Sequence, residues 1–279
     1  MRVLSTVREM RAASLAVRKG GQSLGLVPTL GALHAGHIAL VRAAQAQCDV
    51  VVVSIFVNPT QFGPNEDFSK YPRTFEKDCA LLEAEGVALV FAPQTEEMYP
   101  AGAGTFVEVE GISDRLDGVS RPGHFRGVAT IVAKLFHIVE PDKAFFGQKD
   151  AAQVAVLRSM VRDLNFDLEL VVCPTVREPE GLALSSRNRY LSAEEHGRAL
   201  VLSRALNAIA ATFRTGQKDV ARLLEAGRGV LATEPDVRID YLEIVNADTL
   251  LPLTEAVPGA LVAVAAYVGS TRLIDNTIL

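Results

Sequence analysis

The chain has 279 residues, of which 49% are hydrophobic and 22% charged, with no tryptophan and a formal net charge of −5. That length buries a substantial core in one large or two modest domains. The acidic balance argues against a nucleic-acid binder, which carries a basic face, and no run approaches the ~20 uninterrupted apolar residues of a membrane span.

The opening stretch MRVLSTVREMRAASLAVRKGG alternates charge with short apolar pieces and lacks the apolar core of a signal peptide. Cys48, Cys79 and Cys173 form neither a C-x-x-C pair nor a zinc pattern, which predicts buried free thiols in a cytoplasmic protein. From residue 23 short apolar runs alternate with longer amphipathic ones. SLGLV (23–27), VVVVSIFV (50–57), VALVF (87–91), KAFFG (143–147) and LELVV (168–172) predict strands buried on both faces of a parallel sheet. Helical spacing fills 37–47, 73–86, 128–139 and 150–164. The alternation predicts a Rossmann-like, doubly wound α/β domain over residues 1–175, with ligands beyond the carboxyl ends of its strands.

After residue 176 the rhythm changes. Ser192 and Glu195 make a capping box ahead of a long Ala- and Leu-rich helix (192–216), and a second helix follows at 219–233. Strands are expected at 238–246, 260–268 and near 270–275. Two helices followed by consecutive strands predict a smaller C-terminal α+β domain, residues 176–279, with an antiparallel sheet.

Four stretches follow predicted strands closely enough to share one pocket. In PTLGALHAGH (28–37), the strand ends near Val27, Pro28 turns the chain and a helix begins at about Gly36. Free N–H groups and the positive dipole end of that helix suit phosphate. His34 and His37 either donate hydrogen bonds there, or one caps the helix while the other packs under a loop. SIFVNPTQF (54–62) leaves Gln61 in a Pro-terminated loop. FFGQKDAAQ (145–153) puts Lys149 at a helix start, a poor place for a cation unless an anion shares it. Asp150 reads as the N-cap, and Gln153 lies one turn further. PTVREPEGLALSSRNRYLS (174–192) offers Ser185, Ser186 and Arg187 as donors without a hydrophobic purpose.

Few acidic groups oppose these donors, an inventory that suits a polyphosphate whose charge moves during reaction. No G-x-x-x-x-G-K-[ST] loop is present, which excludes a P-loop grip. No G-x-G-x-x-G follows the first strand, which counts against a dinucleotide hydride carrier.

These motifs, together with RPGHFRGV (121–128), stand in the order and spacing of the pantothenate synthetase (pantoate–β-alanine ligase) family. The chain resembles that family along nearly its full length, least after about residue 195. HAGH is similar to the H-x-G-H signature of nucleotidylyl-transfer enzymes. The resemblance implies ATP-dependent condensation of (R)-pantoate with β-alanine through a pantoyl adenylate, with ATP as substrate, Mg²⁺ on its phosphates and a homodimeric assembly.

By motif position it implies that Leu30, Gly31, Ala32, Leu33, His34, Ala35, Gly36 and His37 wrap ATP, with both histidines at its phosphates. Gly147, Gln148, Lys149 and Asp150 would contact the nucleotide, Lys149 reaching phosphate and Asp150 the ribose. Val176 would touch adenine, Leu184, Ser185, Ser186 and Arg187 would close over the triphosphate, and Gln61 and Gln153 would bind pantoate. Catalysis would fall to His34, His37, Lys149, Ser185, Ser186 and Arg187, with no protein ligand assigned to the metal. Leu30 and Leu184 replace frequent methionines of the family, Ala35 a frequent Glu and Glu180 a frequent Asp. None of these changes removes a donor. The rival readings are another nucleotidylyltransferase of this fold, a non-catalytic nucleotide-binding module, and a fragment of a tRNA-charging enzyme, which the acidic chain fits poorly.

Overall fold

The computed structural model describes residues 1–64 and 66–279. Strands β1 (Arg2–Leu4), β2 (Leu24–Thr29), β3 (Val50–Ile55), β4 (Leu89–Phe91), β5 (Lys143–Gly147) and β6 (Glu169–Cys173) form one parallel sheet, ordered β1-β4-β3-β2-β5-β6. The helices between them are α1 (Val7–Lys19), α2 (Ala35–Gln45), α3 (Phe75–Ala84), the short α4 (Thr95–Met98) and α5 (Asp117–Ser120), α6 (His124–Val139) and α7 (Ala151–Asp163). Alternate strand residues serve opposite faces. Leu26, Val52 and Phe146 meet α1, α6 and α7, whereas Val27, Val53 and Phe145 meet α2 and α3. The expected doubly wound architecture is present. Strand order reverses between β2 and β5, so their carboxyl ends diverge and leave a crevice, the position at which this architecture binds ligands.

Three details depart from the sequence reading. Pro28 does not turn the chain but continues β2, opposite Ser54 of β3. Leu24 bonds towards the β5 side, donating to and accepting from Asp142, so by alternation Pro28 faces that side too. Pairing with β5 has ended at Leu26, and the missing N–H therefore interrupts no ladder. The opening stretch, whose broken apolar pattern gave no element, forms β1 and α1. Thr6 and Glu9 close a reciprocal capping box there, and Met10 is fully buried. Cys48 and Cys173 are buried free thiols as expected, but Cys79 is only partly buried.

Beyond β6, helices α8 (Ala193–Ala199), α9 (Val201–Arg214) and α10 (Val220–Leu231) pack on an antiparallel sheet of β7 (Val237–Val245), β8 (Leu261–Val268) and β9 (Thr271–Ile278). The long helix expected at 192–216 is thus two, divided at Leu200, whose carbonyl accepts from the Ser203 hydroxyl. Arg272 of β9 ties this sheet to α5, donating to Asp117 (2.7 Å) and to Asp240 of β7 (2.8 Å). Among the described residues, no helix is long and apolar enough to cross a membrane.

The closest approach that shapes the crevice lies between α6 and a single 3₁₀ turn at Pro59–Gln61. A Cβ on Gly127 would stand 2.3 Å from the Thr60 carbonyl oxygen and 2.6 Å from the Gln61 nitrogen. Both are backbone atoms with no rotamer to yield. Gly127→Ala is therefore expected to cost about 1–3 kcal/mol by overpacking and to displace Gln61, which a denaturant midpoint and an activity assay on one preparation will read together. Unchanged stability and rate would contradict the close packing.

Candidate active site

The β2–α2 loop is braced before it reaches the helix. Asp78 of α3, 3% exposed, accepts from the backbone N–H groups of Ala32 and Leu33, both at 2.9 Å. These amides belong to the scaffold. Gly31, Ala32, Leu33 and Ala35 accordingly lie outside the cavity wall, while Leu30, His34, Gly36 and His37 line it.

His34 is the N-cap of α2, its Nδ1 accepting the Gly36 N–H at 3.1 Å. His37, at the third helical position, accepts the His34 N–H on its own Nδ1 at 3.3 Å. The pair forms a capping box built from imidazoles, with ring centroids 4.1 Å apart. Both histidines take part in the cap and both line the cavity; neither packs away under a loop. A Cβ on Gly36 would come within 2.8 Å of the His34 ring, so only glycine lets the ring fold back over its own helix start.

The capping bonds also fix the tautomer. Because each Nδ1 is an acceptor, the proton of the neutral ring resides on Nε2, assigned from this pattern, and each ring offers an N–H donor to the cavity. Burial, aided by the Lys149 charge, lowers the His34 pKa to about 4. Burial and the neighbouring His34 lower that of His37 to about 3. Both rings are neutral donors at pH 7.

Lys149 occupies a 3₁₀ turn between β5 and α7, its Nζ 3.2 Å from Asp150 Oδ1. Asp150 stands at the N-cap position of α7 but caps nothing, because its carboxylate is turned to the lysine. Burial pushes the Asp150 pKa up, but the Lys149 charge and hydrogen bond outweigh it and hold the carboxyl below its ordinary value. Gly147, Lys149, Asp150 and Gln153 line the cavity; Gln148 does not, since its side chain bonds Asn276.

Across the cavity of ≈ 230 Å³ stand Gln61 and an apolar wall that includes Phe56, Val128, Ile131 and Phe146. Gln61 is held by Asn58, which the sequence reading missed. Asn58 is fully buried. Its amide donates to Gln61 Oε1 and to the Gly127 carbonyl, both at 3.1 Å, and its oxygen accepts from Tyr99 at 2.9 Å. With Oε1 so engaged, the Gln61 NH₂ remains to act as a donor. Arg121 and His124, from the RPGH segment, also line the wall, and His124 Nδ1 lies 2.8 Å from the Gln61 carbonyl. Burial, assisted by Arg121, lowers the His124 pKa to about 4.

The last expected stretch closes the cavity. Leu184 bonds back to Val176 (3.0 Å), Ser185 Oγ accepts the Arg187 N–H (3.2 Å), and Ser186 meets the Tyr71 hydroxyl (3.3 Å). Arg187 makes a two-point pair with Asp67, at 3.1 and 2.9 Å. The donors are thus more closely opposed by acids than their sequence neighbours suggested. Two hydroxyls on this wall, Ser54 and Thr175, are buried without a partner among the described residues.

A family model described as Pantoate-beta-alanine ligase matches residues 2–278. The pantothenate synthetase of Acidobacterium capsulatum is 66% identical, with 100% of this chain and 97% of that protein covered. That of Koribacter versatilis is 62% identical, covering 100% and 96%. Among solved structures, a pantothenate synthetase of Thermus thermophilus superposes with a TM-score of 0.94 at 51% identity over 99% of both chains. The pantoate-beta-alanine ligase of Francisella tularensis, described as complexed with beta-gamma ATP and beta-alanine, superposes with a TM-score of 0.81 at 33% identity, covering 100% and 97%. Likeness of this degree, running from the first strand to the last, shows that the chain belongs to the pantoate-beta-alanine ligase family.

Proposed function

We propose that the chain joins pantoate to β-alanine at the expense of ATP, by way of a pantoyl adenylate. One observation carries the reading: a single cavity is lined by two imidazoles with Nε2–H donors, by Lys149, by the amides of Gln61 and Gln153, and by apolar side chains including Val128, Ile131 and Phe146. The cation and the imidazole donors suit a triphosphate and the apolar side chains the dimethyl body of pantoate, whose hydroxyls the two amides would meet.

The carboxylate oxygen of pantoate attacks the α-phosphorus of ATP, the bond to the bridging β-phosphate oxygen breaks, and pyrophosphate leaves. The free amine of β-alanine then attacks the acyl carbon, and the C–O bond to AMP breaks. Negative charge gathers on the α-phosphate oxygens and the departing pyrophosphate. Lys149 and Arg187 supply cations there, and the imidazoles supply fixed dipoles that need not reorient. Pantoate is gripped by neutral amides, which leave its carboxylate nucleophilic where an arginine clamp would stabilise the ground state.

Mg²⁺ fits as an ion carried on the triphosphate. Among the described residues no group of three His, Cys, Asp or Glu is placed to hold a metal, and Mg²⁺ bound through substrate phosphates needs only one or two carboxylates. Asp150 is the carboxylate on this wall, and the ion would supply charge neutralisation.

Residues 1–175 would then bind ATP and pantoate, and 176–279 would close over them. The same reading places the protein in the cytoplasm as a homodimer.

The direct test is to give the purified chain ATP, Mg²⁺, pantoate and β-alanine. AMP and pantothenate are expected in equal amounts, and a nucleotide retained on the product would favour another nucleotidylyltransferase instead. His37→Ala is expected to lower turnover about a hundred- to a thousandfold and, by loss of a cap, stability by about 1 kcal/mol. Near-normal turnover of the folded variant would contradict its role.

Three half-buried neutral imidazoles also set a pH limit. The folded pKa values of His34, His37 and His124, at about 4, 3 and 4, lie below the ordinary value of 6.5. The unfolded chain therefore takes up protons first as pH falls. Stability is full above about pH 7.5 and falls towards the folded values, by up to ~2 kcal/mol per ring by about pH 5. Melting temperature should drop across that window and drop less in His37→Gln; a flat profile would contradict the neutral assignment.

A further inference from the structure

We infer that Asn276, on the final strand β9, is a positioning residue that aims the Lys149 side chain into the cavity. The inference rests on the reading that Lys149 meets the triphosphate. Asn276 is 4% exposed, and its amide is spent on the reaction loop instead of on its own sheet. Its Nδ2 donates to two successive backbone carbonyls, those of Gln148 (2.9 Å) and Lys149 (2.8 Å). Its Oδ1 accepts the side-chain NH₂ of Gln148 at 3.0 Å.

Fixing the carbonyls on either side of the Lys149 nitrogen and carbon fixes the two peptide planes that flank its Cα. The direction of the Cα–Cβ bond follows from those planes. Lys149 has a long, rotamer-rich side chain, and without this anchor the turn between β5 and α7 would leave its root free to rock. A buried amide is costly unless bonded, and here its partners lie 127 and 128 residues away in sequence.

The neighbouring residue acts on the second phosphate-facing loop. Asp275, 3% exposed, takes a two-point bond from Arg177 (2.6 and 2.9 Å), and Arg177 also donates to the Gly181 carbonyl (3.0 Å). Arg177 bridges to Ala183 and Gly181 lies in the turn between them, so the bond from Arg177 closes the hairpin that leads to Ser185–Arg187. Two adjacent residues of one strand thus hold the turn that carries Lys149 and the hairpin that precedes Arg187. This gives the C-terminal sheet a part in the chemistry that its distance from the nucleotide-binding strands conceals.

The test is a double-mutant cycle on the full chain. Asn276→Ala and Asn276→Ser are made alone and on Lys149→Ala, with kcat, KM for ATP, KM for pantoate and melting temperature measured for each. Asn276→Ala is expected to lower kcat about ten- to a hundredfold, the effect of a displaced reacting group, with KM for pantoate changed less than about threefold. Asn276→Ser, which keeps one donor, should recover part of the loss. On Lys149→Ala, where nothing is left to aim, Asn276→Ala should change kcat less than about threefold.

Equal losses in both backgrounds, or an unchanged kcat, would overturn the inference. If the alanine variant does not fold, the serine variant carries the same cycle. A Lys149→Ala enzyme with normal turnover would overturn the reading of Lys149 itself, and a costly Lys149→Ala with additive losses only the role of Asn276.

Discussion

The first amides of α2 are capped by imidazoles, and the character of the site follows from that choice. An aspartate cap would satisfy the same N–H groups but would leave no proton to give to a ligand. An imidazole caps through one nitrogen and retains another. The capping bond then dictates which nitrogen carries the proton, so one local interaction ends the helix, fixes the tautomer and aims a donor. Gly36 is needed because the His34 ring folds back over it. Burial completes the arrangement by keeping both rings uncharged. An uncharged donor stabilises charge as it develops without holding the resting triphosphate too firmly.

Fixed donors are useful only if the groups around them are equally fixed, and each of three is held by a buried polar residue. Asp78 clamps the loop before His34. Asn58 orients Gln61, and Asn276 anchors the turn of Lys149. These braces are 3% or less exposed in the first two cases and 4% in the third. They sit on α3, after β3 and on β9, so the cavity is assembled from the full length of the chain. The active surface comes from the diverging ends of β2 and β5, and its precision from buried polar residues, of which Asn58 itself lines the cavity.

The parallel strands were legible because runs such as 50–55 are apolar on both faces, and no other element tolerates that pattern so briefly. The H-x-G-H loop was legible because it joined a strand to a helix with glycine at a tight place. Helix α1 was not, since its apolar face is interrupted by arginines; the Thr6–Glu9 capping box was the available signal. Gln61 was found in its motif, whereas Asn58, three residues earlier, passed as a turn residue before Pro59. Asp78 and Asn276 escaped for a different reason. Nothing local marks them, because their partners are 45 to 128 residues distant in sequence. Pro28 misled because the rule that proline ends a strand yields where the neighbouring strand has already stopped pairing.

The central claim is that this cavity activates a carboxylate on ATP before the amine takes part. Isotope exchange tests it most directly. With pantoate and Mg²⁺ present and β-alanine absent, labelled pyrophosphate should enter ATP, because adenylate formation reverses on the enzyme. Exchange that proceeds without pantoate, or that begins only once β-alanine is added, would contradict the account.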